Sequence, residues 1–124
     1  MYTRKEIHES VGGELESYLP RNSGRVVCGC FDPKLNPDAP DKILVGGGTV
    51  IMAAAGQFAV QQNPVPIFMK HRTNEWKYIG EYKVASSTRS VAIVNSENAR
   101  SGRNNITRVL YLEPSSRTPS AELQ

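Results

Sequence analysis

The sequence predicts an α+β fold: a curved, mostly antiparallel sheet or small barrel with two flanking helices. Three observations support this. Val65 to Val84 (VPIFMKHRTNEWKYIGEYKV) alternates apolar and polar positions on both sides of a polar turn at Thr73-Asn74. The elements read in the order α, β, β, α, β, β, β, β, so strands outnumber helices. Most connections are too short for the crossovers that parallel strands require.

Each element has its own signal. Thr3-Arg4-Lys5-Glu6 carries the capping-box pattern and opens a short helix with Ile7, Val11 and Leu15 as its apolar stripe. Gly12-Gly13 ends that helix. Arg25 to Phe31 (RVVCGCF) reads as one strand buried on both faces. Asp32 to Asp41 has three prolines and three aspartates in ten residues and reads as a loop. Ile43 to Val45 is a short strand. Gly46-Gly47-Gly48-Thr49 leads from it into a helix over about Val50 to Gln62, with Ile51, Ala54, Ala55 and Phe58 as its packing face.

The hairpin follows, with Val65, Ile67 and Met69 alternating on its first strand. Trp76, Tyr78, Tyr82 and Val84 form an aromatic row on one face of the second. Gly80 interrupts that row and predicts a bulge or a close backbone approach. Thr88 to Val94 reads as a strand, Asn95 to Asn105 as a polar loop and Ile106 to Leu112 as the last strand. From Glu113 to Gln124 there is no apolar pattern, which predicts a disordered tail after a single domain over residues 1–112.

The chain has 124 residues, 39% hydrophobic and 22% charged, which suits one globular domain with a real core. No apolar run reaches the ~20 residues of a membrane helix, and no secretory signal pattern is visible, so a cytoplasmic protein is expected. The net charge of +3 is unevenly placed. Residues 1–62 carry six Lys/Arg and seven Asp/Glu, whereas residues 63–124 carry nine and five. That asymmetry suits a polyanionic partner, or equally a solvated basic surface.

Chemistry-bearing groups are sparse. Gly46-Gly47-Gly48-Thr49 precedes a helix N-terminus, where free N–H groups favour an anion, yet the Walker pattern and its lysine are missing. The glycines suit a tight turn, or a bare backbone lining a pocket. Cys28 and Cys30 face one way in a strand, near the far limit for a disulfide. Only His8 and His71 are left to join them as zinc ligands, without ligand-like spacing, so they read as reduced, buried thiols. Asp32, Asp38 and Asp41 are separated by prolines and read as a solvated loop. Nothing orders Ser, His and Asp into a triad. The expectation is therefore a non-catalytic domain without cofactor or metal.

Four segments resemble, in order, the SRA (SET- and RING-associated) domain of the PUA-like superfamily. Tyr78-Ile79-Gly80-Glu81-Tyr82-Lys83-Val84 resembles its Y-D-G-x-Y-[KR]-V signature, and Pro64-Val65-Pro66-Ile67 its preceding Pro-Val strand. Leu44-Val45-Gly46-Gly47-Gly48 resembles its Y-T-G-x-G-G. Val26 to Asp32 resembles its strand ending in Gly-Gly-Tyr and acids. The likeness covers Arg25 to about Leu112, without the family's long finger, and implies a PUA/SRA-like curved sheet.

The resemblance further implies a module that reads modified, methylated-cytosine-type bases by flipping them into a pocket. Phe31 takes the stacking role by position. Leu44 stands where the family has a second stacking tyrosine, and Val45 where it has a threonine. Asp38 or Asp41 lies near the acid that binds the base edge, and Gly46, Gly47, Gly48 and Thr49 form the pocket turn. Lys70, His71, Arg72, Arg89, Arg100 and Arg103 are the expected phosphate contacts. The expected partner is nucleic acid, duplex DNA in particular, with any cleavage left to a nuclease or other effector. Two alternatives stand beside this: a protein-interaction module whose base pocket has been lost, and an enzyme acting on a small ligand in that pocket.

Overall fold

Thr3 and Glu6 cap the first helix reciprocally, as their spacing predicts. The structure, a computed structural model, describes residues 1–115. Glu6 N–H donates to Thr3 Oγ1 at 3.1 Å and Thr3 N–H to Glu6 Oε1 at 2.8 Å, opening α1 (Arg4–Val11). Gly12, at φ +83°, ends it with an N–H bond to the His8 carbonyl. The buried stripe is shorter than expected: Ile7 is buried and Val11 half-buried, while Leu15 lies past the helix, exposed.

The predicted strand Arg25–Phe31 is interrupted. β1 (Arg21–Asn22) and β2 (Arg25–Val26) form a small antiparallel hairpin, and β3 (Gly29–Phe31) joins the main sheet. The break has a hydrogen-bonding cause. The buried Gln61 side chain accepts from Val26 N–H at 3.0 Å and donates to the Val26 carbonyl at 2.9 Å. Val27 N–H then turns to the Pro20 carbonyl. A side chain distant in sequence thus stands in for a strand partner.

The remaining elements are β4 (Lys42–Val45), α2 (Thr49–Val60), β5 (Val65–Arg72), β6 (Glu75–Thr88), α3 (Val91–Ser101) and β7 (Arg108–Pro114). The fold is α+β: three helices with a strongly curled five-stranded half-barrel in the order β3-β5-β6-β7-β4. The sheet is mixed, because β3 runs parallel to β5 while the other pairs are antiparallel. Ala54, Ala55 and Phe58 of α2 fill the interior against Phe31, Ile43 and Leu110.

The hairpin is the longest feature, and its bulge falls where Gly80 places it. Ile67 pairs with Gly80 but Phe68 with Tyr78, so Ile79 is the extra residue. Gly80 sits at φ +135°, a conformation that side chains rarely tolerate. The bulge also corrects the single aromatic row. Trp76 and Tyr78 pack with Phe68, Cys28, Cys30 and Ile7, whereas Ile79, Tyr82 and Val84 pack on the interior core. One inserted residue sends the second half of the strand to the opposite face.

Two expectations change at the C-terminal end. Residues 91–101 form α3 and not the expected strand and loop. The β-branched Val91, Ile93 and Val94 favour a strand, but tertiary contacts override them. Glu97 bonds both Lys42 and Arg100, Asn98 Oδ1 accepts from Ile106 N–H at 3.0 Å, and Gly102 closes the helix in the left-handed region. The last strand also runs on to Pro114, with Glu113 paired to Lys83, so the expected tail does not begin at residue 113. Residues 116–124 of that tail lie outside the described residues. No helix among the described residues is long and apolar enough to cross a membrane.

Candidate functional site

Among the described residues, those expected to form a base pocket are divided between the interior core, the turn before α2 and an indentation beside α3. Phe31 is fully buried in the interior core, where the Tyr18 ring meets it edge-on at 6.4 Å. Val45 lies in the same core, but Leu44, next in the pleat, faces the other way. It packs with Ile106 and Val109 beneath Val94 of α3. Phe31 thus packs in the core and presents no free face for the stacking role expected of it.

The glycine turn is also occupied. Gly46 N–H donates to the Tyr18 hydroxyl at 3.2 Å, and the Gly46 carbonyl accepts from Thr107 Oγ1 at 2.8 Å. Burial pushes the Tyr18 phenol up, so it stays protonated. Gly47, Gly48 and Thr49 are exposed at the start of α2. Asp41 is exposed, and its carbonyl accepts from Leu112 N–H.

Asp38, Leu44 and Arg100 do meet, in a shallow indentation of about 100 Å³ with Pro37, Glu97 and Ser101. That is well below the ~300–1,000 Å³ of ligand pockets. Its charged groups already face one another. Lys42 Nζ lies 2.7 Å from Glu97 and 3.3 Å from Asp38, and Arg100 Nη2 lies 2.7 Å from Glu97 and 3.3 Å from Asp38. Hydrogen bonds from Lys42 first, then from Arg100, hold the Glu97 and Asp38 carboxyls below their ordinary values. This cluster anchors α3 to the loop before β4.

A different group is brought together by the parallel pair. Because β3 and β5 run the same way, their carboxyl ends emerge side by side. Asp32, Pro33 and Lys34 leave β3 there, beside Lys70, His71 and Arg72 at the end of β5 and Thr73 in the turn. They line an open cleft of about 410 Å³. The Asp32 loop is locally braced: its Oδ1 accepts from Lys34 N–H at 3.0 Å and its carbonyl from the N–H groups of Leu35 and Asn36. Lys70 Nζ stands 3.8 Å from Asp32 Oδ2, a loose and partly exposed pair. Lys34, Lys70, His71 and Arg72 therefore line one cleft with one carboxylate, that of Asp32, which, among these side chains, only Lys70 approaches.

The expected phosphate contacts thus divide. Lys70, His71 and Arg72 share the cleft. Arg89 lies elsewhere, lining an indentation of about 150 Å³ with Arg108, Thr107, Met52 and Val45. Arg100 is bound to Glu97 and Asp38. Arg103 Nη1 donates to the Leu35 carbonyl at 3.3 Å and its Nε to Asn105 Oδ1 at 3.4 Å, bracing the loop. Lys34 is a cleft cation that the sequence pattern does not single out. Its link to Lys70 depends on the parallel pairing, which short connections argue against. Among the described residues no three His, Cys, Asp or Glu side chains gather as metal ligands.

No curated protein and no solved structure matches the chain. The chain belongs to the family described as a domain of unknown function, DUF6697, whose model matches residues 1–112.

Proposed function

We propose that this domain is a non-catalytic, cytoplasmic nucleic-acid-binding module that holds the phosphate backbone of duplex DNA in the cleft between β3 and β5. The observation that carries this reading is that Lys34, Lys70, His71 and Arg72 line one open cleft whose lining holds one acid, Asp32. Duplex DNA presents a negative charge about every 1.7 Å along its axis, so neighbouring phosphates suit several cations in one open cleft. The Lys70–Asp32 pair is worth about 1 kcal/mol or less at such exposure, and an incoming phosphate displaces it readily. The collinear resemblance to the SRA module supports DNA as the polymer. Buried Phe31 and Val45 argue against base flipping, so contacts here position the duplex without reading its sequence. Any cleavage is the work of a nuclease or other effector partner.

A second reading, a protein-interaction module on the same scaffold, draws on the filled base pocket and on exposed Val91 (73%) and Ile93 (39%) of α3. Titration of methylated and unmethylated duplexes at two salt concentrations separates the readings. Equal affinity for both duplexes, weakening with salt, is expected. Absence of binding at low salt favours the second reading.

A further inference from the structure

Beneath α1 lies a pair of groups that the cationic cleft does not involve. Cys28 and Cys30 are 0% and 1% exposed, and their sulfurs are 4.0 Å apart. They flank Gly29 and share one face, packed with Ile7, Phe68 and Trp76. Cys28 lies in the break between β2 and β3, outside both strands, so strand pairing does not fix it in place. The sulfurs share a hydrogen bond that either thiol can donate, so each can stabilise the other's thiolate.

The positive charge of Arg4 favours the thiolate form of both. Its Nη2 donates to the carbonyls of Glu14 at 3.0 Å and Ser17 at 2.8 Å, and its guanidinium carbon lies 5.4 Å from the Trp76 ring centre. Its Nε is buried without a hydrogen-bond partner. A nearby cation and a second thiol beside the first supply the charge and the partner that a reactive dithiol needs, and solvent access is what the closed fold withholds. Arg4 pins the first turn of α1, but beyond it Ile7 is the helix's one fully buried side chain and Val11 is half-buried. A segment with so few buried contacts opens locally at low cost.

We propose that Cys28 and Cys30 are a redox-active dithiol that closes to a disulfide when the Ile7–Val11 part of α1 lifts, with Arg4 still bound in place, and a hydroperoxide enters. One of the two thiolates attacks the peroxide O–O bond, giving a sulfenic acid and, from hydrogen peroxide, hydroxide that takes up a proton to become water. The other sulfur then attacks the sulfenic sulfur, forms the S–S bond and displaces the second oxygen as water. Two thiols lose two electrons and two hydrogens, and one peroxide is reduced to two waters. The sulfurs close from 4.0 Å to the ~2.05 Å of a disulfide.

The test exposes the full chain to hydrogen peroxide, then unfolds it in iodoacetamide and measures the intact mass. The expected product is a monomer lighter by two hydrogens, free of alkylation and restored by dithiothreitol. Cys28→Ser should stop at a Cys30 sulfenic acid that dimedone traps. Ile7→Ala, verified as folded by circular dichroism, should form the disulfide about tenfold faster or more, because it loosens that part of α1. Two alkylated thiols in the treated parent chain, separate sulfinic acids, or disulfide-linked dimers alone overturn the proposal. An Ile7→Ala rate equal to the parent's overturns entry beneath α1.

Discussion

Tyr18 joins the two edges of the half-barrel through Gly46. The Tyr18 hydroxyl accepts from Gly46 N–H at 3.2 Å, just past β4, while the Tyr18 carbonyl accepts from Cys30 N–H at 3.0 Å, on β3. β3 and β4 are the outermost strands of the sheet order, so one residue from an irregular segment closes the gap that the five strands leave. Such edges are otherwise open to pairing with other chains.

Tyr18→Phe keeps the ring contact with Phe31 but leaves buried Gly46 N–H without its acceptor. It should lower stability by about 1–3 kcal/mol, the cost of an unsatisfied buried donor. Urea unfolding checks this, and an unchanged midpoint contradicts the closing role.

Two glycine-to-alanine changes should have opposite signs. A Cβ on Gly29 would stand 2.7 Å from Phe31 Cζ and 2.8 Å from Ile67 Cδ1, so Gly29→Ala should cost about 1–3 kcal/mol through overpacking. A Cβ on Gly56, within α2, would meet nothing within 4 Å. Gly56→Ala should therefore stabilise by about 0.5–1 kcal/mol through helix propensity. The two thermal midpoints, measured side by side, check both.

The Glu97 cluster predicts a pH dependence with a definite sign. Glu97 is 8% exposed and bound by Lys42 and Arg100, and its carboxyl is depressed on folding. A depressed carboxyl stabilises the fold fully above its unfolded value, about 4.3, and that contribution fades as pH falls through the lower folded value. Glu97→Gln should cost about 1–3 kcal/mol at neutral pH by leaving Lys42 poorly paired. The gap between parent and variant should narrow below about pH 4. A gap constant from about pH 7 to about pH 3 contradicts the assignment.

Local signals in the sequence carried local structure well. The Thr3/Glu6 cap, the Thr73-Asn74 turn and the Gly80 bulge each follow from a few adjacent residues and are found in place. What escaped depends on distant partners. Val91 to Val94 looks like a strand until Lys42, 55 residues before Glu97, secures the helix. Arg25 to Phe31 looks continuous until Gln61 takes the Val26 backbone. The candidate site divides in the same way. Lys70, His71 and Arg72 are neighbours in sequence and remain neighbours in the cleft. Lys34 joins them only through the parallel pairing of β3 with β5, and Arg100 and Arg103 also hold distant partners, Asp38 and the Leu35 carbonyl, that no local pattern discloses.

The most direct test of the backbone-binding account is the salt dependence of duplex DNA affinity in the parent, Lys34→Ala, Arg72→Ala and Phe31→Leu proteins. Log affinity should fall linearly with log salt, and each cation removed should flatten the slope by about one unit, alike for methylated and unmethylated duplexes. Folded Phe31→Leu should keep the parent's slope and affinity, because that ring is core. A parent that binds no duplex at low salt, or folded Lys34→Ala and Arg72→Ala proteins that retain the parent's slope, would contradict the account.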